Sequence, residues 1–132
     1  MNKVEIIKIM KDYNFDINEY AIISSAAMVL HGIKKSTKDI DIYVSPNYYE
    51  YLLKKYNCKY ERINKGTKIY YIDDVINFGI NYKPNKIELI NGLAISSIED
   101  IVLLKESLKR EKDIKDIKLI KEFKRLKWKK IK

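Results

Sequence analysis

Apolar residues recur along this chain with two periods, and the switches between them mark out its elements. Val4, Ile6, Ile7 and Met10 fall on one side of a helix, and Asn14 to Asn18 reads as the turn after it. Tyr20-Ala21-Ile22-Ile23 is a short apolar run bounded by serines, the pattern of a buried strand. Ser24 and Ser25 lead into Ala26-Ala27-Met28-Val29-Leu30, good helix formers closed by Gly32. Asp39 to Val44 alternates and is rich in β-formers, so it predicts a strand. Pro46 suits the first turn of a helix carrying Tyr48, Tyr49, Tyr51, Leu52 and Leu53.

The middle of the chain predicts sheet. Lys59 to Ile63 and Thr67 to Ile72 flank Asn64-Lys65-Gly66, a hairpin turn, and Val75 to Ile80 and Ile87 to Ile90 are two further strands. Ser96 or Ser97 caps a helix with Glu99 and Asp100 in its first turn, where the helix dipole favours acids. That helix runs through Ile101, Leu104 and Leu108 to about Arg110, and a last one carries Ile114, Ile117, Ile120, Phe123 and Leu126. The order predicts an α+β fold, an α/β sandwich with helices packed on a mixed sheet. A single domain, 1–132, is expected, with a core over about 20–95 and a C-terminal helical segment over about 96–132.

Composition narrows the classes. A chain of 132 residues can bury one core and leave one cleft, and 46% hydrophobic with 34% charged residues is a globular balance. No apolar run approaches the length of a bilayer span, and MNKVEIIKIM lacks the cleavage pattern of a signal peptide. The lone Cys58 excludes an internal disulfide, so a cytoplasmic location is the default expectation. A net charge of +9 favours polyanionic partners, although a chain so rich in Lys, Ile, Asn and Tyr is also what an AT-biased genome encodes.

Candidate chemistry concentrates between Ile22 and Val44. A strand ending in Ser24 and Ser25 and turning at once into a helix presents backbone amides to an anion such as a triphosphate. Downstream, Asp39 and Asp41 are two apart on a strand and project from one face, with Ile40 turned into the core. Two carboxylates held close repel unless a cation joins them. Magnesium, or manganese in its place, takes a few carboxylate oxygens together with phosphate oxygens.

Ser24-Ser25-Ala26-Ala27-Met28-Val29-Leu30-His31-Gly32, followed by Ser36-Thr37-Lys38-Asp39-Ile40-Asp41, resembles the Gly-Gly/Ser…Asp-x-Asp motif of DNA polymerase beta-type minimal nucleotidyltransferases. The resemblance is closest to the branch of abortive-infection toxins. Ile98-Glu99-Asp100-Ile101 with Lys105, then Arg110-Glu111-Lys112-Asp113 and Asp116, resembles the later elements of that branch, so the likeness runs from about residue 20 to about 120. It implies a metal-dependent enzyme that moves a nucleoside monophosphate from a nucleoside triphosphate to RNA, transfer RNA included, or to protein. Asp39 and Asp41 would hold the metal. Ser24, Ser25, Lys105 and Asp113 would serve the nucleotide.

The chain departs from the family pattern at two places. Both positions of the first motif are serine, which disfavours positive φ. The third catalytic acid falls by order along the chain on Asn77, an amide that cannot take a proton at neutral pH; Asp74 and Glu88 are substitutes under a shifted alignment. A rival expectation follows, a catalytically impaired protein that binds nucleotide, nucleic acid or a cognate protein, as a toxin–antitoxin component would.

Other features admit a bland reading beside the functional one. Lys105 reaches phosphates or is a solvated lysine, and Asp113 and Asp116 serve the site or merely favour a helix dipole. The sole histidine, His31, has a local role at a helix end or touches substrate. Residues 121–132 hold seven Lys/Arg and one Glu around Phe123, Leu126 and Trp128, a basic helix that tracks a phosphate backbone or packs with a solvated face. No membrane partner is expected.

Overall fold

The helices begin where the sequence supplies a cap. In the computed structural model, which describes residues 1–131, Asn2 and Glu5 form a reciprocal capping box that opens α1 (Lys3–Tyr13). Ser45 caps α3 (Pro46–Lys55), with Pro46 in its first turn. Ser97, not Ser96, caps α4 (Ile98–Leu108), whose Glu99 and Asp100 lie in the first turn. Helix α2 (Ser24–Leu30) is preceded by Ile23 with no side-chain cap. The long last helix is α5 (Glu111–Ile131). Lys132, the end of the predicted basic tail, lies outside the described residues.

The strands form one mixed sheet in the order β3-β4-β5-β2-β1-β7-β6. They are β1 (Tyr20–Ile22), β2 (Ile40–Val44), β3 (Lys59–Asn64), β4 (Thr67–Ile72), β5 (Ile76–Gly79), β6 (Ile87–Ile90) and β7 (Leu93–Ser96). β1 runs parallel to β7 and β2 parallel to β5, while the other neighbours are antiparallel. The fold is thus α+β, helices on a mixed sheet, as the element order predicted. Strand β7 was not foreseen: Leu93-Ala94-Ile95-Ser96 is buried throughout and shows no alternation. The Asn91-Gly92 turn before it, with both residues at positive φ, is the hairpin signal that announces it.

Alternation divides β1 and β2 between two environments. Ile22, Ile40, Ile42 and Val44 join the main core with α1, α2, Leu52 of α3, Ile101 of α4 and Ile120 of α5. Ala21, Ile23 and Tyr43 face the other side, in a small cluster with Leu104. That second face carries the cleft described below.

Helix α4 docks through the expected Ile101 and Leu104, whereas α5 uses only part of its expected apolar stripe, Ile120 being its buried member. Ile114 and Leu126 are about half exposed, while Asp113 and Asp116 are buried beside Ile120. Their partner is Lys105 of α4, only 1% exposed, with Nζ 2.9 Å from Asp116 Oδ2 and 3.5 Å from Asp113 Oδ1. The sequence leaves these charges open between a site role and a solvated one because Asp, Lys and Ile alternate along α5, and nothing local says which set turns inward. Removing one partner of a buried ion cluster strands the others. Lys105→Met should therefore cost about 3 kcal/mol in urea unfolding, near the low end for such losses because Arg110 and Lys34 still neighbour the aspartates. A change below about 0.5 kcal/mol would show that the cluster carries no stability.

Candidate functional site

The sheet face behind Ala21 and Tyr43 opens into a cleft of about 610 Å³. Its floor is Asp41, whose backbone carbonyl accepts from Ile23 N–H at 2.9 Å, fixing the end of β1 against β2. Asp39 stands one residue before the strand as paired, yet lines the same cleft two residues from Asp41. Its Oδ2 accepts from the Tyr71 hydroxyl at 3.4 Å, and its carbonyl accepts from Thr37 Oγ1 at 3.2 Å. The structure thus brings the Asp-x-Asp pair together at one opening.

Ser24 and Ser25 line the wall beside that pair. Ser24 sits at φ 58°, the left-handed region that a serine enters at a cost of roughly 1 kcal/mol or more. Positive φ is the conformation that glycine adopts without cost, and here a serine adopts it. Both hydroxyls are held from behind. Lys105 Nζ donates to Ser24 Oγ at 3.4 Å, Lys34 Nζ donates to Ser25 Oγ at 3.3 Å, and both lysines pair with Asp116.

Lys105 and Asp113, expected at the nucleotide, are buried rather than on the cleft wall, at 1% and 0% exposure. They act through neighbours. Asp113 accepts from Arg110 Nε at 2.7 Å, Nη2 at 3.1 Å and the backbone N–H at 3.0 Å, and so aims the half-exposed Arg110 that lines the cleft. Burial works to raise the Asp113 pKa, but the Arg110 hydrogen bonds outweigh it and hold the carboxyl below its ordinary value. Arg110, Lys112, Lys38 and Arg62 make the rim cationic.

Asn77 occupies the position opposite Asp41 in the parallel β2–β5 register and lines the cleft. Its Nδ2 donates to Glu61 Oε2 at 2.9 Å. The two substitutes lie elsewhere: Asp74 in the exposed turn before β5, near Lys59, and Glu88 on β6 at the far end of the sheet. Glu61 and Arg62 were absent from the sequence reading, and the reason is geometric. Counting back from the Lys65-Gly66 turn, Glu61 should oppose Tyr70 and share its face, away from the cleft. Instead Tyr60 opposes Tyr70, because a β-bulge between Tyr60 and Arg62 inserts Glu61. Glu61 and Arg62 then both face the cleft, and they pair with each other. His31 bonds Ser96 O through Nε2 at 2.8 Å, tying α2 to β7.

A mixed sheet that presents an Asp-x-Asp strand beside a tight turn into a helix is a nucleotidyltransferase-type core. The chain belongs to the family described as nucleotidyltransferase of unknown function (DUF6036), whose model matches residues 2–132. That match carries the superfamily expected from the Ser24–Gly32 and Ser36–Asp41 motifs and does not distinguish the abortive-infection branch. No curated protein and no solved structure matches the chain. Among the described residues no helix is long and apolar enough to cross a membrane.

Burial, then repulsion from Asp39, pushes the Asp41 pKa from 3.8 up to about 6, against weaker opposing attraction from Arg62 and Lys112. The folded protein therefore binds this proton more tightly than the unfolded chain. The stability so gained is complete below pH 3.8 and is lost as pH rises through about 6. Asp41→Asn should be indistinguishable from wild type at the acid end and more stable by roughly 1–2 kcal/mol at neutral pH without added metal, after allowance for solvent screening. Denaturant melts at a series of pH values check this; a difference independent of pH would remove Asp41 as the cause.

Proposed function

We propose that this protein transfers a nucleoside monophosphate from a nucleoside triphosphate to a hydroxyl of RNA, releasing pyrophosphate. The observation that carries the reading is the union, in one cleft, of an Asp39–Asp41 floor with a rim of Lys38, Arg62, Arg110 and Lys112. A wholly cationic cleft suits any phosphate, and a wholly acidic one repels it. The combination suits a triphosphate that arrives with a divalent cation. Among the described residues no three His, Cys, Asp or Glu side chains converge to hold a metal. The donor set on offer is the aspartate pair, which fits magnesium because that ion completes its shell with substrate phosphates. Held by Asp39 and Asp41, Mg²⁺ (or Mn²⁺) supplies polarisation of the phosphate oxygens.

The chain's own residues supply the remainder. Arg110, aimed by Asp113, and Lys112 balance the charge that develops on the leaving pyrophosphate. Ser25 offers a hydroxyl to a phosphate oxygen from the wall. Lys105 and Asp116 hold the Ser24–Ser25 turn in place. RNA is favoured as acceptor by the net charge of +9 and by the exposed basic length of α5. Transfer to transfer RNA in a toxin-like role is the specific form that the motif resemblance favours, and the lone Cys58 favours the cytoplasm as its setting. A second reading, a nucleotide-binding protein with slow chemistry, draws on Asn77 standing at the position opposite Asp41.

Asp39→Ala with Asp41→Ala should abolish the rise in melting temperature that Mg-ATP gives the wild type, with the metal-free fold retained. If the double variant binds Mg-ATP as tightly as wild type, the site is elsewhere. Total RNA should bind with an affinity that falls about tenfold or more between roughly 0.05 and 0.2 M salt, because neutralised phosphates release counterions. Deleting residues 121–132 should flatten that slope; an affinity indifferent to salt would remove RNA as the partner.

A further inference from the structure

The third acid of the site is missing from the place where strand order puts it, since Asn77 carries an amide. The cleft nevertheless contains a third carboxylate. Glu61 is its only other acid among the described residues, and it arrives from β3 through the bulge that separates Tyr60 from Arg62. Its side chain is 23% exposed, neither sealed in the core nor free in solvent. Asn77 Nδ2 holds Oε2 at 2.9 Å, and Arg62 Nη1 pairs with Oε1. A carboxylate has about four acceptor sites on its two oxygens, so both contacts leave room for a proton. Asp41 and Glu61 line the same cleft, and Asn77, opposite Asp41 in the strand register, is the residue that bonds Glu61.

We propose that Glu61 is the general base of the transfer, with Asn77 as the positioning residue that holds it. The inference rests on the nucleotidyltransferase reading above. In the step assigned to it, an acceptor hydroxyl oxygen attacks the α-phosphorus and forms the new P–O bond. The bond from the α-phosphorus to the bridging oxygen breaks, and pyrophosphate leaves with that electron pair. The hydroxyl proton passes to a Glu61 carboxylate oxygen. Asp39 and Asp41 are poor candidates for that proton because they face each other as the cation-binding pair. Asn77 is excluded chemically, since an amide does not accept a proton at neutral pH. The bulge thus does for Glu61 what an acidic residue at 77 would do directly: it sets a proton acceptor beside the Asp-x-Asp strand. An Asp at 77 in the wild-type background would press a second carboxylate against Glu61, so Asn and Glu form a matched pair.

The test measures pyrophosphate release from each nucleoside triphosphate with Mg²⁺, using total RNA and total protein as acceptors, beside calorimetric binding of Mg-ATP. Glu61→Gln keeps an oxygen to accept from Asn77 and removes the proton acceptor together with the half-exposed charge pair to Arg62. It should lower turnover by about 100-fold or more, in the range of general-base loss, with Mg-ATP affinity within about threefold and the melting temperature unchanged. Glu61→Gln combined with Asn77→Asp returns an acid to the neighbouring position and should recover at least about tenfold of that loss. Turnover of Glu61→Gln within about threefold of wild type, while Asp39→Asn and Asp41→Asn are inactive, would overturn the base role and leave the nucleotidyltransferase reading standing. No recovery in the double variant would assign the loss to geometry and likewise overturn it. A wild type that binds Mg-ATP yet releases no pyrophosphate with any acceptor would overturn both readings.

Discussion

The arrangement on which the site depends is a closed ring of buried charge behind it. Asp116 of α5 accepts from Lys105 of α4 and from Lys34 of the loop after α2; Lys105 reaches Ser24 Oγ and Lys34 reaches Ser25 Oγ. One carboxylate therefore grips both residues of the turn through two lysines. Such a cluster is expensive to desolvate and adds little net stability over an apolar core, but each member fixes the geometry of the others. Asp113 extends the ring to Arg110, so the network that shapes the cleft wall also aims a cation on its rim. Elements far apart in sequence meet here, and the two C-terminal helices both support the turn from behind and line the cleft, through Leu104 and Leu108 of α4 and Lys112 of α5.

The ring also clarifies what the cleft lacks. Two pairs of aspartates, Asp113 with Asp116 and Asp39 with Asp41, differ in their surroundings. Asp113 and Asp116 have cations within 3 Å, and the Asp113 carboxyl is held below its ordinary pKa despite burial. Asp39 and Asp41 have no comparable ion pair among the described residues, and burial followed by repulsion from Asp39 raises the Asp41 pKa to about 6. One pair is internally balanced and structural. The other is unbalanced where solvent and ligand enter, which is the condition under which a carboxylate pair is served by an external cation.

The sequence exposed the part of this design that is local. The Asp39-Ile40-Asp41 alternation fixes which face the acids take, and the order of strand, serine turn, helix and strand places the turn beside them. What it hid is set by register and by tertiary choice. Glu61 follows the wrong parity from its own hairpin turn, and only an inserted residue redirects it. Lys105, Asp113 and Asp116 look like surface charge because burial of an ion cluster depends on partners in other elements. Strand β7 lacks alternation because both of its sides are covered, so its Asn91-Gly92 turn was a better guide than its own residues.

Ser24 joins these points. Its φ of 58° is a strain that glycine would avoid, and the related motif has glycine there. A glycine would leave Lys105 Nζ without its Ser24 contact, and Lys105 is buried, so the loss is costly. Serine thus exchanges backbone strain of roughly 1 kcal/mol for satisfaction of a buried ammonium, terms of similar size. The departure from the family pattern that looked like impairment in sequence is therefore compatible with an intact turn. The side chain whose Cβ causes the strain also carries the hydroxyl through which α4 holds the turn.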